Sequence, residues 1–596
     1  MKHQDIFSYI TQEEANYQLP IEVIDGYSWS MRDHIKQSTL YKNSKFTTGD
    51  DPNKPFKNIV RPILNLQYRA EGFDVKDIEP YIDDYEQFYK SFLVRKYHDK
   101  WAVEHGIDTF IDSLVESYCD YGGVLVKDVN SNAPEVVPLQ SIVFCDQTDL
   151  ISGPIGIKHF YAPDQLLEME QYGWGNPDNG ATATLDEIVM LAGNDKQYDK
   201  QTSVKAKTPG KYIEIYEVHG MFPQSFIDGE GTKYTRQMHI VTFLQSENGD
   251  KQGITLFAGK EKKSPFKFLA RDVIYGRALG FGGIEELFQA QIWTNYSEIQ
   301  KKAMLDAASK TIFKTTDPTF KSKNTLTNVK QNEVFEIEMG TDITQIDTTP
   351  RNINLFDNAI NEWQVHAQQM GSANEAIMGE QPTSGTPFKL QELVTAEAHS
   401  LHEYRKGKIA VFVEDIYRDW IIPRMAREIT LGDTFLAELD LKELTNIAEN
   451  VMVNEANKII KSKILDEGVI PTPEEIVQFK ETARQDFMAI GNKRFIDIAK
   501  DEIKDVAMRV RVNVAGKQKD LFSRVDKLVN VFRQIIASPQ MLQDPVLSDL
   551  FNQIIEASGL SPVDFTAIKL APQVPTAPAG AQTTQPLQDL AQITNA

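Results

Sequence analysis

A chain of 596 residues with a formal net charge of −22 is long enough for several hydrophobic cores. It is too acidic for a protein that coats nucleic acid through a broad basic surface, although an acidic wall still lets a polyanion pass without sticking. No apolar run approaches the ~18–20 residues of a membrane span, and "MKHQDIFSYITQEEANYQLP" lacks the apolar core of a signal peptide. Two cysteines, Cys119 and Cys145, are too few for a disulfide framework; in "VESYCDY" and "SIVFCDQ" they read as buried free thiols in a reducing cytoplasm.

Residues 1–60 mix polar and aromatic residues with little period, which predicts an arm or a loosely packed start. Apolar residues then recur every three to four positions over 85–101 and 107–119, predicting two helices. Short strand-like runs follow at 124–127, 135–138, 141–145, 155–162, 212–222, 236–244 and 253–258. Between them, the Gly-, Asn-, Asp- and Thr-rich stretch 173–208 predicts a surface loop around one short helix near 185–192. The pattern is that of an α+β chain.

"GRALGFGG" at 276–283 opens a helix whose apolar stripe is Ile284, Leu287, Phe288, Ile292, Tyr296, Ile299 and Ala303. Residues 311–346 are β-like, and helical period returns over 353–370 through Phe356, Ile360, Trp363, Ala367 and Met370. "MGEQPTSGTPFKLQEL" breaks the pattern at 378–393. A long helix is expected over 390–425, with Leu390, Leu393, Val394, Leu401, Tyr404, Phe412, Val413, Ile416, Tyr417, Trp420 and Ile421 on its stripe. Thr386 is a plausible N-cap, with Pro387 in the first turn. Residues 434–507 read as helical, broken at "DEGVIPTPEE"; a strand at 508–514 and helices at 518–537 and 546–557 follow. The Pro-, Ala-, Gln- and Thr-rich tail is expected to be disordered.

No catalytic constellation emerges. "GRALGFGG" is followed by no GK[ST], and Glu285 stands where a dinucleotide fingerprint needs its third glycine, so the glycines read as a sharp turn. His399 and His402, with Glu403 beside them, have a spacing that can hold a metal, but no second ligand cluster is visible and both histidines read as solvent-facing. Glu285 with Glu286, and Asp83, Asp84 and Glu86, read as solvated faces and helix-start charges. No metal, cofactor or GxSxG nucleophile is implied. Lys310, Lys314, Lys321, Lys323 and Lys330 make a local basic patch, either ordinary surface charge or a contact for phosphate or an acidic partner.

The order of these elements resembles the portal proteins, or head-tail connectors, of tailed bacteriophages. "GRALGFGGIEELFQAQIWTNYSEIQ" is similar to that family's first stem helix, and "ANEAIMGEQPTSGTPFKLQELVTAEA" to its tunnel-loop passage. "NIVRPILNLQYRAEGFDV" and "DYGGVLVKDV" are similar to its N-terminal wing, and 508–568 to its return toward the crown. The resemblance covers roughly residues 40–570 through element order.

It implies an N-terminal arm and wing over 1–265, a first stem helix over 266–309 and a clip over 310–350. A second stem helix over 351–371, a tunnel loop over 372–387 and a long wing helix over 388–430 follow. A wing return over 431–515, a helical crown over 516–571 and a disordered tail over 572–596 complete the subunit. It further implies a non-enzymatic ring, usually dodecameric, at one capsid vertex, assembled in the host bacterial cytoplasm and carried in the virion. Double-stranded DNA would pass through it during packaging and ejection. Glu380, Gln381, Thr383, Ser384, Thr386 and Lys389 would face the DNA channel, and the five clip lysines would meet the large terminase subunit or the head-tail adaptor. The wing and crown would face the major capsid protein and the DNA interior. The alternative is another non-enzymatic virion assembly, scaffold or adaptor protein.

Overall fold

The computed structural model describes residues 5–46, 54–82, 91–129, 133–194, 212–245, 251–309, 312–316, 343–346, 353–373, 400–430, 433–438, 457, 459–461, 463, 472–489, 493–498 and 508–512. Contacts divide the chain into Met1–Val514 and Ala515–Ala596, and the second unit lies outside the described residues. So do the helices expected at 518–537 and 546–557, and the tail.

The N-terminus is not the loose arm expected from its weak period. Asp5 caps helix α1 (Ile6–Tyr17) by accepting from Ser8 N at 2.7 Å. A hairpin of β1 (Ile21–Ile24) and β2 (Tyr27–Trp29) follows, then α2 (Met31–Lys42), capped by Ser30. Ile6, Ile10, Trp29, Met31 and Ile35 are buried in a core shared with the central sheet. Two short helices around a hairpin switch period every few residues, which hides the pattern from any long window.

Helix α3 (Val60–Glu71) leads to β3 (Ile78–Ile82), and α4 (Ser91–Glu104) and α5 (Ile107–Tyr121) form a helical pair. Then come β4 (Gly123–Lys127), β5 (Glu135–Val137), β6 (Ile142–Phe144) and β7 (Ile155–Tyr161). The stretch 162–194 holds α6 (Pro163–Glu168) and the expected short helix, α7 (Leu185–Asn194). Strands β8 (Ile213–Pro223), β9 (Tyr234–Gln245), β10 (Lys251–Lys260) and β11 (Phe266–Ala270) complete an antiparallel five-stranded sheet, β10-β9-β8-β7-β6, and a three-stranded one, β11-β4-β5. Helix and sheet are mixed along the chain, as an α+β fold requires.

The glycines of 276–283 serve backbone packing. Gly122 (φ +78°) ends α5, and a Cβ there would lie 2.3 Å from Gly280 O. Arg271 N and Gly280 N both donate to Gly122 O, at 2.9 and 3.0 Å.

From this turn α8 (Gly283–Ala308) runs out, and α9 (Ile353–Met370) runs back antiparallel to it. Lys301 pairs with Asp357 at 2.5 Å, and Trp293 stacks on Trp363. Beyond them β12 (Ile312–Thr315) pairs with β13 (Ile343–Ile346). The expected stripe of α8 holds only at its start. Ile284 and Leu287 are buried, Phe288, Ile292 and Ile299 are half-buried, and Tyr296 and Ala303 are exposed. The buried side is instead polar: Gln291 Oε1 accepts from Ile59 N at 2.9 Å, Gln291 Nε2 donates to Lys57 O at 2.7 Å, and Asn295 Oδ1 accepts from Lys57 N at 3.0 Å. These amides satisfy the backbone of residues 57 and 59, a demand that outranks hydrophobic periodicity. On α9, Ile360 and Ala367 are buried and Trp363 half-buried, while Met370 is exposed.

Helix α10 (Ser400–Ile416) continues through one π-helical turn (Tyr417–Ile421) into α11 (Ile422–Thr430). Phe412, Val413, Ile416, Tyr417 and Ile421 are buried as expected, in a core with α4, α5 and β3; Leu401 and Tyr404 are exposed. The 434–507 stretch is not uniformly helical. Strand β14 (Asp433–Glu438) pairs with β15 (Lys493–Ile498), and α12 (Pro473–Ala489) lies between them in sequence. The Thr, Phe and Ile of "TFLAE" and "RFIDI" favour strand. Strand β16 (Met508–Val512) pairs with β3, returning the chain to its first third.

Candidate functional site

The chain leaves α9 and re-enters α10 at one place. Gln67 Nε2 donates to Gly371 O at 3.4 Å, and Ser372 adopts φ +52°. His402 Nε2 lies 3.4 Å from Ser372 O, and its Nδ1 lies 3.1 Å from Glu71 Oε1. The roots of segment 374–399 therefore converge on the last residue of α3. The segment itself lies outside the described residues, and with it Glu380, Gln381, Thr383, Ser384, Thr386, Lys389 and His399.

Glu71 is fully buried at the centre of a charge junction. It accepts from Arg271 Nη2 at 3.0 Å and lies 3.6 Å from Arg405 Nη1. Arg405 Nη2 reaches Asp272 at 2.5 Å and Glu286 at 2.8 Å. Arg271 and Arg405 are buried, and Glu286 nearly so. Burial pushes the Glu71 carboxyl up, but the His402 hydrogen bond and the two guanidinium charges outweigh it and hold it below the usual value. For Glu286 burial prevails, and its pKa is raised. Cys119 Sγ donates to Glu71 at 3.4 Å; burial first, and Glu71 second, push that thiol well above its ordinary range, which leaves it inert as a nucleophile.

Two expectations are overturned here. His402 is not solvent-facing, because the buried face of α10 passes through positions 402, 405, 409, 412 and 416. Extending the buried stripe two turns backward from Ile409, by its own three-to-four spacing, finds Arg405 and then His402. Glu285 and Glu286 are helix-start charges as expected, in the first turn of α8, but they are not a solvated face: Glu285 pairs with Arg277 at 2.6 Å, and Glu286 with Arg405. Nothing in "YRAEGF" or "FLARDV" announces that Glu71 and Arg271 meet, because 200 positions separate them. Both ring nitrogens of His402 face oxygen, and no metal-holding group of His, Cys, Asp and Glu occurs among the described residues.

Of the five lysines of the predicted basic patch only Lys314 is described, exposed on β12; Lys310, Lys321, Lys323 and Lys330 lie outside the described residues, as do Asp83, Asp84 and Glu86. Cys119 and Cys145 are free; Cys119 is buried, whereas Cys145 is only partly so, 3.7 Å from Met31 Sδ.

A second ionic cluster, unforeseen in the sequence, lies on the five-stranded sheet. Glu217 accepts from Lys127 at 2.5 Å, from His219 at 2.9 Å and from His159 at 2.8 Å, and His219 also reaches Glu261 at 2.8 Å.

No protein-family profile matches this chain, and no curated protein matches it. Among solved structures, a chain from the virion of a native gene transfer agent particle superposes with a TM-score of 0.33 and 9% identity, over 93% of this chain and 99% of that one. A chain from the neck of an empty particle of that kind, computed with C6 symmetry, gives 0.31 and 9%, over 79% and 98%. One from the neck of a native particle, computed with C12 symmetry, gives 0.29 and 10%, over 70% and 84%. At these scores the likenesses decide neither fold nor function.

Proposed function

We propose that the chain is the subunit of a portal-type ring in a phage-like virion: a non-enzymatic homo-oligomer through which double-stranded DNA is packaged and ejected. What supports this reading is the route of the chain around the helical hairpin. Helix α8 runs out, β12 and β13 pair beyond it, α9 runs back, and α10 begins beside the point where α9 ends. Stem, clip, stem, loop and long helix follow one another in that order in the family the sequence resembles.

In this reading the hairpin is a strut and the buried junction at Glu71 is its base. Segment 374–399 then starts and ends on fixed ground. Gln381, Thr383, Ser384 and Thr386 would offer DNA neutral hydrogen bonds, with little of the phosphate attraction that would trap it. Packaging energy would come from a separate motor ATPase, the large terminase subunit, docked with the tail adaptor at the clip; the wing would meet the major capsid protein.

Light scattering with negative-stain imaging of the purified chain tests the reading. An annulus near a megadalton is expected; a monomer or dimer at every concentration would overturn it in favour of another virion assembly or scaffold protein.

A further inference from the structure

Two surface features of the chain are complementary in chemistry and do not meet within one subunit. The first is a cleft of about 330 Å³ against α2. Ile35, Leu40, Leu139 and Ile142 supply its apolar lining, and Arg32 and Lys36, one helical turn apart, are its exposed cations. No carboxylate lines it, in a chain with 85 acidic and 63 basic residues. Among the described residues neither cation has an ion-pair partner.

The second feature is the tip of the β1–β2 hairpin, Ile24-Asp25-Gly26-Tyr27. Ile24 is 62% and Tyr27 41% exposed, and Asp25 is exposed with no ion pair among the described residues. The tip is held at its base. Gln147 Nε2 donates to Leu19 O at 2.9 Å, and Gln147 Oε1 accepts from Met31 N at 2.9 Å, fixing the stretch on either side of the hairpin. Neither Ile24 nor Tyr27 lines the cleft of its own chain.

We propose that the hairpin tip of one subunit seats in the α2 cleft of the next, with Ile24 and Tyr27 on the apolar lining and Asp25 between Arg32 and Lys36. The two surfaces differ, so the contact is heterologous and propagates head to tail; it closes into a ring when the rotation between copies allows. The proposal rests on the ring reading above and assigns that ring one contact. A knob of this size covers much less than the ~800 Å² per partner of a standard interface. Its role is therefore direction and register, which complementary charges set more than they set total affinity.

Cysteine pairing in the full chain tests it. An Asp25→Cys/Lys36→Cys variant, oxidised as rings, is expected to run as a ladder of covalent multimers on a non-reducing gel. Each single variant and the wild type, which retain Cys119 and Cys145, should give no ladder. Charge reversal supplies the second readout: Arg32→Asp/Lys36→Asp should lower the ring fraction several-fold, and adding Asp25→Lys should restore it. Intact rings with no ladder and no response to charge reversal would overturn this contact and leave the ring reading standing. A wild type that forms no ring at any concentration would overturn both.

Discussion

Trp293 and Trp363 stack across the α8–α9 hairpin with ring centroids 6.2 Å apart and planes 11° from parallel. Trp293 is 45% exposed and Trp363 half-buried, so the pair is a clasp on the hairpin's flank, outside the fully buried core. Trp363→Ala should therefore cost about 2 kcal/mol, short of the ~3–5 kcal/mol for a fully buried large aromatic. A double-mutant cycle with Trp293→Ala should return about 1 kcal/mol of coupling in denaturant unfolding. Zero coupling would mean that the two rings do not hold the hairpin together.

Glu71→Gln removes the one carboxylate that faces Arg271, Arg405 and His402 together. Breaking one partner of a buried ionic network leaves uncompensated charge, so a loss of about 3–5 kcal/mol is expected by urea unfolding. A loss within about 1 kcal/mol of zero would imply that the guanidinium groups find water or other partners.

Stability should depend on pH from both sides. Burial opposes the charged form of His219, but the hydrogen bonds it donates to Glu217 and Glu261 outweigh it and raise its pKa above the ordinary 6.5. Its contribution is complete below about pH 6.5 and fades as pH climbs through the raised value. Burial also pushes Glu217 up, yet Lys127, His159 and His219 hold it well below the ordinary 4.5. The Glu217 contribution is complete above about pH 4.5 and is lost as pH falls through the depressed value. His219→Gln should flatten the alkaline limb of a plot of melting temperature against pH. An unchanged slope from about pH 6.5 upward would show that this histidine does not carry it.

Deleting Gly379–Gly385 should leave folding and ring assembly intact, because Gln67, Glu71 and His402 anchor the chain at 371–373 and 402, outside the deletion. On the proposed reading, DNA packaging or retention by particles carrying the deletion should fall. Packaging at the wild-type rate by a normally assembled ring would make the segment a slack linker.

On the proposed reading the purified protein should neither hydrolyse ATP nor cleave DNA; the glycine-rich "GRALGFGG" packs as a backbone turn against Gly122 and does not form a phosphate-binding loop. Hydrolysis that survives ring purification and is abolished by one substitution in this chain would reverse that assignment.

Periodicity by itself located α5, the strands from β4 to β10, and the second half of α10, where Phe412, Val413 and Ile416 recur at helical spacing, but it gave no sign that β8 and β9 also bury Glu217, His219 and His239. It misjudged elements whose buried face is polar. Gln291 and Asn295 lie inward because a strap of backbone at 57–59 needs amide partners, and His402 and Arg405 lie inward because Glu71 waits there. A polar side chain looks the same in sequence whether its partner is water or a charge hundreds of positions away. Only the tertiary structure joins Glu71 to Arg271 and His402, and only it brings Ser372 beside the start of α10. Hydrophobic burial is written locally, one face at a time, whereas ionic and hydrogen-bonded burial exists only once long-range partners have met.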